Sequence, residues 1–144
     1  MTGLLRLAAL GLLAVVAAAC TTGASERELA ELREAGLVLV PPGGSVVGTS
    51  EGACVRLRGN PTCVRIYFTA DLPVEERVDA VVEAGRAEGW RPVSRERVRD
   101  GTWLQLERDG FRAYIAMWDD EHSAPCREGR PARDCADELH VIED

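Results

Sequence analysis

The chain has 144 residues, which is the usual size of a single domain. Its 24 acidic residues outnumber its 17 basic residues and give a formal net charge of -7. Nucleic-acid-binding proteins are usually basic, so this charge argues against nucleic-acid binding. Hydrophobic residues make up 46% of the chain, so a folded core is expected and wholesale disorder is not. We therefore predict one globular domain with no nucleic-acid partner.

Residues 1–19 have the composition of a cleaved signal peptide. Arg6 carries a positive charge, and residues 7–19 are an unbroken run of Leu, Ala, Val and Gly. A membrane-spanning helix needs about 20 apolar residues, whereas the apolar part of a signal peptide has about 7 to 15. The run therefore predicts secretion through a signal peptide rather than a permanent membrane helix.

The end of this run, Ala17-Ala18-Ala19-Cys20, resembles that of bacterial lipoprotein precursors, in which small residues precede a cysteine that becomes acylated. The resemblance implies that Cys20 is the lipidation site, that residues 20–25 form a tether, and that acyl chains such as palmitate hold the protein on the outer face of the cell membrane. Residues 26–144 would form the displayed domain, similar to small uncharacterised lipoproteins of high-GC bacteria. The alternative is cleavage of the same bond by an ordinary signal peptidase, which would leave Cys20 as a free thiol.

The remaining cysteines are Cys54, Cys63, Cys126 and Cys135. Lipidation of Cys20 would leave them as an even set in an oxidising compartment, where disulfides persist. Four cysteines allow three pairings, and the equal, short spacing within each neighbouring pair favours local disulfides. The first pair would join two β-prone arms around a turn at residues 59–61. Neither spacing provides the Cys-x-x-Cys pair typical of redox or zinc sites.

The mature chain begins with a predicted helix over residues 25–35. Ser25 and Glu28 form a capping-box pattern, and Gly36 is expected to end the helix. Residues 37–40 and 46–47 are β-prone and predict two short strands. A clearer strand follows at residues 64–69, where apolar and polar residues alternate.

The best-supported helix covers residues 72–88. Pro73 suits its first turn, and Gly89 is expected to close it. Its apolar residues recur at helical spacing, opposite a row of acids, which predicts that one side of the helix is buried. The apolar positions are Val74, Val78, Val81 and Val82.

Three strands are predicted next, over residues 91–98, 102–108 and 111–118. The Asp109-Gly110 turn should pair Arg108 with Phe111, which places the apolar residues of both strands on one face. The preceding hairpin is expected to have a three-residue loop with Gly101 in the left-handed conformation, so that Val98 pairs with Thr102.

These elements predict an α+β fold: an antiparallel-rich sheet with a β-α-β-β-β core, one main helix packed on it, an N-terminal helix and two local disulfides. Residues 119–137 are expected to form a long polar loop. Residues 138–142 would return as a strand at the edge of the sheet.

The sheet face opposite the main helix is the candidate binding face. Its predicted residues are Tyr67, Trp103, Tyr114, Trp118, Arg65 and Arg112, with Arg95 and Arg97 from the neighbouring strand. Aromatic and Arg side chains are typical anchors of binding surfaces. The alternative is that the N-terminal helix and residues 37–40 cover this face and bury its aromatic rings.

The C-terminal region contains a weaker candidate for metal binding, formed by His122, His140, Asp119 and Asp120. Their spacing matches no known metal motif, so we predict no metal and no cofactor. Catalytic signatures such as Gly-x-Ser-x-Gly and the phosphate-binding glycine loop are missing from the sequence. We therefore predict that the protein is not an enzyme.

The predicted function is that of a membrane-anchored extracytoplasmic lipoprotein. Its domain would bind a cell-envelope protein or an anionic envelope polymer without catalysis. One alternative is a metal-dependent envelope hydrolase that uses His122 and His140, and another is a purely structural envelope protein.

Overall fold

The computed structural model describes residues 24–54 and 57–144. The predicted signal peptide, the predicted lipidation site Cys20 and the start of the predicted tether lie outside the described residues. The strands are β1 (Ser45–Ala53), β2 (Thr62–Thr69), β3 (Arg91–Val98), β4 (Gly101–Arg108), β5 (Phe111–Trp118) and β6 (Asp137–Glu143). The helices are α1 (Glu26–Leu37), α2 (Val74–Ala87) and α3 (Asp120–Arg127), and a short 3-10 helix covers Ala132–Asp134.

The six strands form one sheet in the order β1-β2-β6-β5-β4-β3, and each neighbouring pair is antiparallel. Both predicted disulfides are present, Cys54–Cys63 and Cys126–Cys135. The predicted α+β fold with a β-α-β-β-β core, an N-terminal helix and two local disulfides is therefore confirmed. The chain order β2-α2-β3-β4-β5 is that core.

Helix α1 starts as predicted but ends later. The Ser25 hydroxyl accepts a hydrogen bond from the Glu28 amide at 3.2 Å, and the Glu28 carboxylate accepts one from the Ser25 amide. The expectation that Gly36 ends the helix is wrong, because Gly36 lies inside it and is buried. A Cβ at Gly36 would lie 2.7 Å from side-chain atoms of Ile66 and Val141, so glycine serves close packing of the helix on the sheet.

Helix α2 closely follows its prediction. It runs from Val74 to Ala87, after Pro73, and Gly89 beyond its end has a φ of 83°. Val78 and Val81 are fully buried against the sheet. The helical spacing of these valines therefore identified the packed side of the helix correctly.

The β4–β5 hairpin has the predicted register, with Arg108 opposite Phe111. The β3–β4 prediction is wrong by one residue, because Val98 pairs with Gly101 across a two-residue turn. A slip of one residue moves every side chain of a strand to the other face. Arg95 and Arg97 consequently lie on the helix side of the sheet, where Arg95 forms ion pairs with α2.

Three further expectations need correction. Residues 37–40 form no strand, whereas the strand expected near residue 46 extends over the whole of β1. The segment 119–137 is partly helical, since it contains α3 and the 3-10 helix. Strand β6 is not at an edge: it inserts between β2 and β5 and pairs with both.

The core lies between the sheet and the two longer helices. One buried cluster contains Leu32 of α1, Val78 of α2 and Leu39, which follows α1. Both helices therefore pack on the same face of the sheet. The alternative in which α1 and residues 37–40 cover the aromatic face is therefore wrong. We call the face away from α1 and α2 the open face.

Candidate functional site

A ring of aromatic side chains surrounds one small residue on the open face. Ala116 of β5 lies between Tyr114 and Trp118 on the same strand, because alternate residues of a strand share a face. Across the sheet, Ala116 pairs with Trp103 of β4 on one side and with Glu138 of β6 on the other. We call Trp103, Tyr114, Trp118 and the floor residue Ala116 the aromatic cage.

The cage opens into a cavity of about 460 Å³. This volume falls within the range of roughly 300 to 1,000 Å³ that is common for small-molecule sites. Besides the cage, polar groups of Ser94, Glu96, Gln105, Glu138 and His140 line the cavity. The apolar lining is completed by Leu57, Leu104 and Ile115.

Neighbouring strands place these polar groups in two rows. In one row, Glu96 of β3 pairs with Trp103, and Ala116 pairs with Glu138. In the next row, Ser94 pairs with Gln105, and Tyr114 pairs with His140. The cavity is therefore assembled from four strands, which fix the spacing of its side chains.

His140 is held from two sides at the wall of the cavity. Its Nε2 lies 2.6 Å from the Glu138 carboxylate, and its Nδ1 lies 3.4 Å from the Cys54 sulfur. Cys54 is bonded to Cys63, and this disulfide closes the loop that brings Leu57 to the cavity. The first disulfide thus belongs to the structure of the site as well as to the fold.

The three predicted face residues outside the cage are on the open face but do not line the cavity. Tyr67 lies on β2, near Gly48 of β1. Arg65 donates a hydrogen bond to the Ala53 carbonyl oxygen at 2.7 Å. Arg112 pairs with the Asp144 carboxylate at 2.6 Å, and a hydrogen bond to Tyr114 is the main cause that raises its pKa.

The weak metal candidates are held by other interactions. Asp119 forms an ion pair with Arg97, and Asp120 forms one with Arg77. The His122 ring lies 4.7 Å from the Trp118 ring, centroid to centroid, so it supports the cage rather than joining His140. Within residues 24–54 and 57–144, the group of three potential ligands that lie close together is Cys54, Cys63 and His140, and both cysteines are bonded as a disulfide.

Sequence reasoning missed a buried charge pair beside the end of β5. Arg77 of α2 and Asp137 of β6 are almost fully buried, and the Arg77 Nε donates to the Asp137 carboxylate at 2.9 Å. The other Asp137 oxygen accepts from the Trp118 amide at 2.9 Å, and Arg77 also donates to the Trp118 carbonyl oxygen. Burial raises the pKa of Asp137 to about 6, against the opposing effect of the Arg77 charge.

This pair fixes the backbone of a cage residue. The Trp118 amide bonds to Asp137, and the Trp118 carbonyl oxygen bonds to Arg77. Residue type alone does not mark Arg77 as buried, since it follows two acids on a helix whose other charged residues are solvent-exposed. The only available signal is its place between Val74 and Val81 on the packed side of the helix.

Comparison of the chain with protein-family models, with curated proteins and with solved structures found no match. Among the residues that the structure describes, no helix has the length and apolar character needed to cross a membrane. The function is therefore inferred from the cavity and from the N-terminal sequence.

Proposed function

We propose that the protein is a membrane-anchored extracytoplasmic lipoprotein whose domain binds a ligand in the aromatic cage without catalysing a reaction. The observation that carries the binding function is the cavity of about 460 Å³ on the open face, with three aromatic rings around Ala116. Tyr114 and Trp118 are partly buried, whereas the ring of Trp103 is exposed beside them. Trp103 is 55% exposed, which is unusual for so large an apolar side chain and favours a role in binding.

The anchor is supported by the N-terminal sequence. Cys20 follows small residues at the end of an apolar run, as in lipoprotein precursors, and α1 begins at Glu26. The tether is therefore short and would keep the domain near the membrane. After removal of residues 1–19 the chain has 16 Arg and 24 acids, a charge of -8, so general attraction to anionic lipid would not hold it there.

The contacts of the cysteine and histidine side chains near the cavity favour a binding role over catalysis. The sulfur that contacts His140 is that of Cys54, and its bond to Cys63 leaves no thiol there to act as a nucleophile. The hydrolase alternative needs His122 and His140 to share a metal, whereas His122 packs on Trp118 and His140 packs on the disulfide. A purely structural role would not account for the cavity or for the exposed side chain of Trp103.

The test compares the wild-type protein with Trp103→Ala, using native mass spectrometry of the full chain extracted from envelopes of producing cells. We expect the wild type to carry a bound solute or envelope component that the variant has lost. Val93→Ala is the matched control, because Val93 is 50% exposed on the neighbouring strand and lies outside the cavity lining. Equal retention by the wild type and Trp103→Ala would contradict the proposed site, and so would a wild type that carries nothing.

A further inference from the structure

We infer that the aromatic cage binds an organic cation, namely an alkylated ammonium group, and this inference rests on the proposed binding function. Three features carry it: the arrangement of the aromatic rings, the charge of the cavity lining, and the size of the cavity. Each feature restricts the chemistry of the ligand independently.

Three aromatic rings line the same cavity from three positions around Ala116. Tyr114 and Trp118 lie on opposite sides of Ala116 along β5, and Trp103 lies beside it on β4. The small floor residue leaves space between the rings. Aromatic faces carry negative electrostatic potential, so a cation bound over Ala116 is attracted by those rings whose faces lie within about 6 Å of it, and aromatic cages recognise quaternary ammonium groups.

The charge of the lining has the sign that a cation requires. Two carboxylates, Glu96 and Glu138, line the cavity, and no Arg of the described residues lines it. Glu96 and Glu138 lie on either side of the row that contains Trp103 and Ala116. The lining therefore disfavours an anionic polymer and favours a positively charged ligand.

The Arg side chains of the open face do not reverse this preference. Arg112 is hydrogen-bonded to Tyr114 at the edge of the cage, but its charge is paired with that of Asp144, and Arg65 is hydrogen-bonded to the backbone of β1 at Ala53. Arg95 and Arg97, which the sequence had suggested for this face, point to the helix side and pair with acids there. The basic groups thus lie around the cavity or behind it.

The size of the cavity fits a small cation or the headgroup of a larger molecule. About 460 Å³ exceeds the volume of a trimethylammonium group alone, so the ligand has room for a further polar part near Gln105 and Ser94. A free ammonium solute and a choline-type lipid headgroup share this chemistry. The experiment below separates the two sources.

Isothermal titration calorimetry of the full chain, in a non-ionic polyoxyethylene detergent, tests the inference with choline as the probe. The matched ligand control is 3,3-dimethylbutan-1-ol, which has the same shape without the charge. We expect choline to bind at least about tenfold more tightly than this alcohol, because the cation–π and carboxylate attractions act on the charge alone. Equal affinity for the two probes, or no choline binding, would overturn the inference.

Two variants locate the bound cation. Trp103→Ala is expected to weaken choline binding by about tenfold and Glu96→Gln by about threefold, because the first removes a ring and the second a charge. Val93→Ala should bind choline as the wild type does. Choline binding that is indifferent to both Trp103→Ala and Glu96→Gln would place the cation elsewhere and overturn the inference.

The source of the cation is read from vesicles. If the protein binds phosphatidylcholine vesicles more tightly than phosphatidylglycerol vesicles, and Trp103→Ala loses this preference, the ligand is a lipid headgroup. If choline binds but the vesicles show no such preference, the ligand is a free solute.

Failure of the inference is distinct from failure of the proposed function. If choline does not bind but the wild type still retains a component that Trp103→Ala loses, the cage is a binding site for another chemistry.

Discussion

Asp137 and Arg77 connect α2 to the two central strands of the sheet, β6 and β5, of which β5 carries most of the cage. Their charges are buried, so each depends on the other for solvation. Removal of one partner from such a pair leaves an uncompensated buried charge, which costs about 3 to 5 kcal/mol. The pair also bonds the backbone at Trp118, so its loss would disturb the cage as well as the core.

The raised pKa of Asp137 predicts a pH dependence of stability. Because its pKa is about 6 in the folded protein and ordinarily 3.8, the folded state binds more protons between these values. The stability from this group is therefore present below about pH 4 and lost as the pH rises to about 6 and above. Relative to Asp137→Asn, we expect the free energy of unfolding of the wild type to fall by about 3 kcal/mol over this window.

Urea unfolding of both proteins at pH 4, 5, 6 and 7 measures this difference. The test uses the change of this free-energy difference with pH, because the substitution also alters the bonds to Arg77 by an amount that is the same at every pH. A difference that stays constant, or that increases with pH, would show that burial does not raise the pKa of Asp137.

Gly101 is required for a close approach between strands. A methyl group there would overlap the backbone carbonyl oxygen of Met117 on β5, and backbone cannot move aside cheaply. We expect Gly101→Ala to lower the free energy of unfolding by at least about 2 kcal/mol. Gly48→Ala is the control, because a Cβ at that strand position would make ordinary contacts, and it should change stability by less than about 1 kcal/mol. Equal effects in denaturant unfolding would contradict this account of Gly101.

At the scale of elements, the two disulfides close loops of the same length but are expected to differ in function. Both have a sequence separation of 9, so removal of either should cost about 2.5 to 3 kcal/mol on the chain-entropy estimate. Cys54–Cys63 alone contacts His140 and closes the loop of Leu57. Replacing this pair by serine should therefore also weaken ligand binding.

Thermal unfolding and calorimetry of the two double-serine variants separate these effects. Serine at Cys126 and Cys135 should lower stability and leave choline affinity within about twofold of the wild type. Loss of affinity in both variants to the same extent would mean that the first loop has no special role at the cavity.

Elements with strong periodicity were predictable from the sequence, and those fixed by long-range contacts were not. The valines of α2 and the alternation in β4 and β5 defined the core face, so Trp103, Tyr114 and Trp118 were correctly assigned to the opposite face. Strand β3 has no apolar alternation, so its register was predicted from the length of the β3–β4 turn alone. The predicted register was wrong by one residue. In the structure a two-residue turn pairs Val98 with Gly101, and in this register Arg95 forms ion pairs with α2.

The position of β6 shows the same limit. Its short alternating pattern indicated a strand, but a pattern does not reveal which neighbours a strand will have. Its insertion between β2 and β5 brings Glu138 and His140 to the cavity and Asp137 to Arg77. The placement of Glu138 and His140 at the cavity and the pairing of Asp137 with Arg77 therefore could not be predicted from the sequence.

At the scale of the whole molecule, the proposed arrangement is a domain held near the membrane by acyl chains on Cys20. We expect the intact mass of the membrane-extracted protein to correspond to residues 20–144 plus acyl chains, and to rise by about four hydrogens on reduction of the two disulfides. A Cys20→Ala variant cleaved after residue 19 should move from the membrane to the soluble fraction, because it carries none of the acyl chains that would hold the wild type on the bilayer. An unacylated mass with a free thiol would contradict the anchor.

The site of ligand binding is tested most directly through the three tryptophans of the chain. Trp103 and Trp118 line the cavity, whereas Trp90 is buried in the core and serves as an internal control. In a titration of ¹⁵N-labelled protein with choline, followed through the indole N–H resonances, we predict that the signals of Trp103 and Trp118 shift in a saturable manner while that of Trp90 stays in place. Saturable shifts that spare both cavity indoles, or a spectrum that does not change at all, would contradict binding of an ammonium ligand in the aromatic cage.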